Sequence, residues 1–191
     1  EASEVLGKDS EPLAIINEHV IPALDVVGKR YEDGTIYLPQ LLMSAEASQE
    51  AFAVVKGLIE KSGNAGNISK GKVVLATVKG DVHDIGKNIV RVLLENYGYD
   101  VIDLGKDVPA ELIVETAKKE GARLVGLSAL MTTTLPSMAE TIRQLKDEKV
   151  DCKIAVGGAV LNETYADTIG ADCYCKDAMA TVKYAEQLFG H

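Results

Sequence analysis

The sequence predicts an α/β protein: a helical bundle cap followed by a doubly wound, five-stranded parallel sheet. Three observations predict it. The chain is 47% hydrophobic but only 5% aromatic and has no Trp, the Val, Ile, Leu and Ala content of parallel strands buried on both faces. The apolar period changes near Asn67, from recurrence every three or four residues to short β-branched runs. Beyond that point strand-like and helix-like segments alternate, which implies βαβ units with right-handed crossovers.

In the first region Leu13, Ile16, Val20, Leu24, Val27 and Tyr31 line one helix face, and Glu32-Asp33-Gly34 reads as a turn. A second helix follows through Leu38, Leu41, Leu42, Ala45, Phe52, Val55 and Ile59, with Pro39 suited to its first turn. Tyr37 and Met43 are, by default, core residues of this bundle. Small residues crowd the middle of the second helix (Ser44, Ala45, Ala47, Ser48, Ala51, Ala53) and permit a neighbouring helix or a flat ligand to approach closely. The sequence starts without Met and Glu1–Leu6 reads as the end of a helix, so a further N-terminal piece of the bundle is expected. Ser62-Gly63-Asn64-Ala65-Gly66-Asn67 breaks the pattern. The expected organisation is a helical cap over residues 1–66, a linker at 67–70 and a sheet domain over 71–191.

Within the second region the strands are expected at Lys72–Val78, Val101–Leu104, Leu124–Leu130, Ile154–Val156 and Asp172–Tyr174. Helices are expected at Gly86–Tyr97, Pro109–Glu120, Leu135–Lys149, Thr164–Ile169 and Ala178–Phe189. A net charge of −9 argues against nucleic acid as a partner, since that needs a basic face. No apolar run approaches the roughly 20 residues that span a bilayer, and no signal segment opens the chain, so a cytoplasmic location is expected. Cys152, Cys173 and Cys175 are odd in number and clustered late, a poor disulfide framework; they read as reduced thiols.

In a sheet of order 2-1-3-4-5, the loops leaving strands one and three diverge and open a crevice at the carboxyl edge. The unusual residues lie in such loops: Lys79–Gly86 after strand one, Met131-Thr132-Thr133-Thr134 after strand three, and Gly157-Gly158 after strand four. The first loop lacks the glycines of a dinucleotide-binding fingerprint. It carries instead Asp81 and His83, one residue apart. In an extended loop a carboxylate so placed can hold one imidazole nitrogen while the other faces a metal. One His without clustered soft ligands suits a metal that brings its own equatorial ligands, as a macrocycle does.

Asp81-x-His83-x-x-Gly86, Ser128-x-Leu130 and Gly157-Gly158, in that order and context, resemble the three-part signature of the cobalamin-binding fold of methionine synthase, corrinoid methyl carriers and some mutases. The run Tyr37-Leu38-Pro39-Gln40-Leu41-Leu42-Met43-Ser44-Ala45-Glu46-Ala47 resembles that family's helical cap. The likeness covers nearly the whole chain and is closest to the small corrinoid proteins of methanol, methylamine and methoxy-compound methyltransferases.

The resemblance implies a methyl carrier that holds cobalamin, as cob(I)alamin or methylcobalamin, with the tail base off the cobalt and His83 in its place. Asp81 then orients His83, and Thr134, six residues after Ser128, completes a proton relay. Val82, Asp84, Ile85 and Gly86 belong to the corrin-facing loop, and Thr132 to the facing one. Ser128 and Leu130 line the tail crevice, and Gly157 and Gly158 let the tail approach the backbone. Tyr37, Met43 and Ala47 would cover the upper corrin face. His19 and His191 have no expected role. The implied partners are a substrate-specific methyltransferase, a second methyltransferase serving tetrahydrofolate or coenzyme M, and a reductive activator; the chain alone would not be catalytic. A cobalamin-binding mutase subunit, a cobalamin-sensing binding module and a flavodoxin-like FMN protein are the alternatives.

Overall fold

The computed structural model describes residues 15–61 and 69–190. The chain divides into two compact units, one reaching to Lys70 and taking in Glu95–Gly98, the other formed by Gly71–Leu94 and Tyr99–His191. The segments Glu1–Leu6 and Ser62–Asn67, Leu13 and His191, all singled out in the sequence, lie outside the described residues.

In the first unit a π-helical turn at Ile16–Val20 runs into α1 (Ile21–Glu32), which carries Pro at its first turn. The helix stops where Gly34 takes a φ of +69°, the turn expected there. Helix α2 (Leu38–Lys61) starts where the Tyr37 N–H donates to Gln40 Oε1 at 2.6 Å. Leu24 of α1 and Leu41, Ala45 and Val55 of α2 are buried, as the periodicity predicted. Tyr37 and Met43 are not core: they are 72% and 68% exposed. Tyr37 precedes the helix and Met43 falls between the buried positions 41 and 45, off the packed stripe.

The second unit contains β1 (Lys72–Thr77), α3 (Ile85–Asn96), β2 (Asp100–Asp103), α4 (Ala110–Glu120), β3 (Leu124–Ser128), a 3-10 turn (Thr132–Thr134), α5 (Leu135–Asp147), β4 (Lys153–Gly157), α6 (Glu163–Ile169), β5 (Cys173–Tyr174) and α7 (Ala178–Phe189). All strand pairs are parallel and the order is β2-β1-β3-β4-β5. The expected fold is therefore observed. Alternation along the strands splits the core. Val74, Ala76, Val125, Leu127, Ile154 and Val156 pack against residues of α4, α5 and α6. The other set, including Leu75, Gly126 and Ala155, faces a cavity shared with α3 and α7.

In this unit most boundaries fall within one residue of the sequence expectation, and two differ by two residues, each for a physical reason. β3 was expected to reach Leu130 but ends at Ser128, because the Leu130 and Met131 N–H groups leave the ladder for a carboxylate in the neighbouring loop. α5 ends at Asp147 rather than Lys149, because Lys149 takes a left-handed φ of +51° and Val150 N–H turns back to Leu145 O.

Candidate functional site

The register places Thr77, Ser128 and Gly157 side by side at the carboxyl ends of β1, β3 and β4. The loops leaving these ends form the site. Gly80, with a φ of +88°, turns the chain out of β1 into the loop that carries His83.

The Asp81 side chain is wholly buried. Its Oδ1 accepts from the His83 backbone N–H at 3.0 Å and pairs with His83 Nδ1 at 2.8 Å. Its Oδ2 accepts from Leu130 N–H at 2.7 Å, Met131 N–H at 3.2 Å and the Thr134 hydroxyl at 3.0 Å. Burial pushes this carboxyl up. The bonds from the His83 and Leu130 backbones, the His83 ring and the Thr134 hydroxyl outweigh it and hold the group far below the usual carboxylate range. The group is thus a firm anion that spans the divergence between the loops after β1 and β3.

An anion at Nδ1 keeps the proton there, so Nε2 presents its lone pair. The His83 side chain is 47% exposed, and among the described residues Nε2 has no partner. Thr134 Oγ1 is 2.8 Å from Met131 O as well as 3.0 Å from Asp81 Oδ2, so its one proton has two acceptors. Thr134 occupies the N-cap position of α5, but its side chain makes no capping bond. Val82, Ile85, Leu130 and Met131 are large apolar side chains left exposed around His83. Asp84 contributes its carbonyl to the first turn of α3, accepting from Asn88 N–H, and Thr132 opens the 3-10 turn on the surface.

A cavity of about 340 Å³ lies between the sheet and helices α3 and α7, with Gly86, Val90, Ser128, Gly157 and Gly158 among its walls. Leu130 is not among them; its part at the site is the backbone bond to Asp81. The glycine pair also has a reason that the sequence did not disclose. A Cβ on Gly158 would lie 1.8 Å from Ala129 O, and one on Gly157 would lie 3.2 Å from Cys175 O. Close approach of the protein's own backbone therefore demands glycine at 158. Gly86 is the opposite case: a Cβ there would meet nothing.

Among the wall residues that sequence reasoning did not assign to the site are Gly126, Lys87 and Cys175. Gly126, mid-strand in β3, leaves room for Leu75, whose Cδ2 would be 2.5 Å from an added Cβ; an isolated glycine in a strand was the available signal. Lys87 is almost fully buried and bonds Asp103 Oδ1 at 2.6 Å. Cys175 is buried on the wall, and burial pushes its thiol up to about 12. Cys152 is pushed up to about 11 for the same reason. Protonated thiols are inert, in keeping with the reduced thiols expected from sequence.

A B12 binding domain model matches residues 71–183, and a second B12 binding domain model matches residues 1–56. The chain belongs to the B12-binding proteins. This B12-binding chain is 40% identical over 189 residues to dimethylamine corrinoid protein 1 of Methanosarcina acetivorans, an overlap of 98% of this chain and 88% of that protein. It is 38% identical to a corrinoid protein of Desulfitobacterium hafniense, over 99% of this chain and 88% of the relative. Among solved structures it is similar to the methanol:cobalamin methyltransferase complex of Methanosarcina barkeri, with a TM-score of 0.82 and 32% identity over 99% of this chain and 72% of that one. A cobalamin-binding protein from Desulfitobacterium hafniense matches at a TM-score of 0.75 and 38% identity, over 86% of this chain and 77% of that one.

Cobalamin is thus the cofactor, and the residues present fit it. Among the described residues no group of three or more His, Cys, Asp and Glu is placed to hold a metal; a cobalt supplied with equatorial nitrogens needs only one imidazole. The exposed apolar collar around His83 suits a macrocycle face, and the cavity beside it suits a flat base. No helix among the described residues is long and apolar enough to cross a membrane.

Proposed function

We propose that this protein is a methyl carrier that binds cobalamin with the tail base in the α3–α7 cavity and His83 Nε2 on the cobalt. One observation carries the reading: a buried, five-fold hydrogen-bonded carboxylate fixes His83 Nδ1, leaving Nε2 unpartnered among the described residues on a half-exposed ring. The relatives support the methyltransferase setting, because they are named dimethylamine corrinoid proteins and a methanol:cobalamin methyltransferase complex. The partners proposed are a substrate-specific methyltransferase, a second methyltransferase serving tetrahydrofolate or coenzyme M, and a reductive activator, all in the cytoplasm.

Bound cobalamin supplies a cobalt centre that takes a methyl group from one partner's substrate and yields it to the other's. The chain's own residues set the conditions. Asp81 keeps the Nδ1 proton in place and so makes Nε2 a better donor. Through the same bond Asp81 would hold the ring's orientation whether or not Nε2 carries a ligand. The Thr134 hydroxyl, with both Met131 O and Asp81 Oδ2 in reach, completes the relay behind the imidazole. Ser128, Gly157 and Gly158 form part of the tail pocket. Tyr37, Met43 and Ala47 are the helical unit's candidates for cofactor contact: the first two are exposed, and the small side chains around Ala47 leave that helix surface open to a flat ligand.

The test is electron paramagnetic resonance of the Co(II) protein. Wild type should show nitrogen splitting from an axial imidazole, and His83→Ala should lose it while retaining the cofactor. An unchanged splitting in the variant would reject His83 as the ligand. Methylation of the reduced holoprotein by methyltransferases for methanol, methylamines and methoxy compounds would then name the donor.

A further inference from the structure

We propose that Asp107 is a positioning residue for His83: from the loop after β2, it clamps the chain on either side of the Gly80–Asp81 peptide bond. The inference rests on the ligand role assigned to His83 and goes beyond the Asp81–Thr134 relay, because Asp107 touches neither the imidazole nor the carboxylate that orients it.

Asp107 and Lys149 are the two non-glycine residues with positive φ among those described. Lys149 ends a helix, whereas Asp107, at φ +56°, sits in the loop beside the site. Asp tolerates this region better than most residues, and the conformation turns both of its polar groups on one target. Its N–H donates to Asp81 O at 2.9 Å. Its Oδ1 accepts from Gly80 N–H at 2.8 Å. One residue thereby grips the donor before and the acceptor after a single hinge.

That hinge needs gripping. Gly80 adopts a φ of +88°, and a glycine there has the widest conformational choice in the loop. The carboxylate of Asp81 fastens the loop towards β3 through Leu130, Met131 and Thr134. Asp107 fastens its backbone on the other side, towards β2. The two loops also run alongside one another, with Thr77 N–H to Gly105 O at 2.9 Å and Val108 N–H to Thr77 O at 3.1 Å. The ion pair of Asp107 with Lys79 Nζ at 3.0 Å joins side chains 46% and 60% exposed, so it adds little. The hydrogen bonds are the clamp. A supporting residue that fixes a ligand's backbone acts on the metal as surely as one that fixes its ring.

Three forms of the full chain test this. Asp107→Gly keeps the left-handed φ and the N–H but removes the acceptor for Gly80. Asp107→Asn keeps that acceptor and tolerates the φ while losing the charge. In the cofactor-free chain, amide exchange at Gly80 should quicken about three- to tenfold in Asp107→Gly, the worth of one hydrogen bond, and return to within about twofold in Asp107→Asn. In the Co(II) holoprotein, Asp107→Gly should lower the nitrogen-split fraction and Asp107→Asn should restore it. Wild-type exchange at Gly80 in Asp107→Gly, or a rise spread evenly over the sheet amides, would overturn the clamp. Absence of nitrogen splitting in wild type would overturn the His83 ligation itself, and the Gly80 exchange ratio separates that failure from failure of the clamp.

Discussion

A single carboxylate decides much of the chemistry here. Asp81 accepts five hydrogen bonds, three of them from backbone N–H groups. Asp81→Asn replaces one oxygen with an amide that points hydrogens at hydrogens, stranding at least one buried donor. The expected cost is about 1–3 kcal/mol, measured as a lower urea midpoint. Its pH dependence has a definite sign. The folded-state value lies below the ordinary 3.8, so the stability that Asp81 contributes is present above that pH and is lost as pH falls towards the folded value. Urea midpoints followed from pH 7 into acid should fall less steeply below about pH 4 in the variant than in wild type. The sequence made the Asp81–His83 pairing legible, since a one-residue spacing brings two side chains to the same side of an extended loop. It could not show Leu130 and Met131 as anchors, because they act through backbone N–H groups that every residue but proline carries. Asp107 was hidden for a related reason: its role depends on a left-handed φ that its residue type permits without announcing.

At the scale of elements, the parallel strands and the seven α-helices among the described residues followed from alternating periods, the strand order was that assumed for a doubly wound sheet, and the larger misplacements fell at ends where the hydrogen-bond pattern changed. β3 is the instructive one. Ala129 and Leu130 continue its apolar pattern, but the Leu130 N–H goes to Asp81, a destination no local pattern encodes. The glycines at the mouth of the cavity separate two causes that look alike in sequence. Gly158→Ala puts a methyl group 1.8 Å from Ala129 O at a φ of +138°, so the loop after β4 must move; thermal melting of the unloaded chain should drop by several degrees, as for a loss of about 2 kcal/mol or more. Gly86→Ala meets nothing within 4 Å. Its melting should stay at or slightly above wild type, as Ala favours a helix over Gly, while its affinity for cobalamin should fall where a macrocycle closes on α3. Equal loss of affinity and stability in Gly86→Ala would show that the position is structural.

At the scale of the molecule, the helical and sheet units differ in what they disclosed. The sheet unit carries chemistry at named loops, whereas the described part of the helical unit shows a run of small residues and three exposed large apolar ones, Val26, Tyr37 and Met43. If Tyr37 and Met43 shield the upper corrin face, Met43→Ala should leave cobalamin affinity within about threefold of wild type, as expected where burial of the tail dominates binding, while methylcobalamin in the protein photolyses faster. Unaltered photolysis would leave the helices with another task. The cavity itself has unequal sides. On one, the loops after β1 and β3 are laced together through Asp81. On the other, Asp177 at the head of α7 has its carboxylate turned inward, accepting from Ala180 N–H of its own helix. The protein's own groups thus lace the histidine loop to the loop after β3, so the imidazole is aimed in advance and a ligand reaching Nε2 meets a preset donor rather than one that it must order.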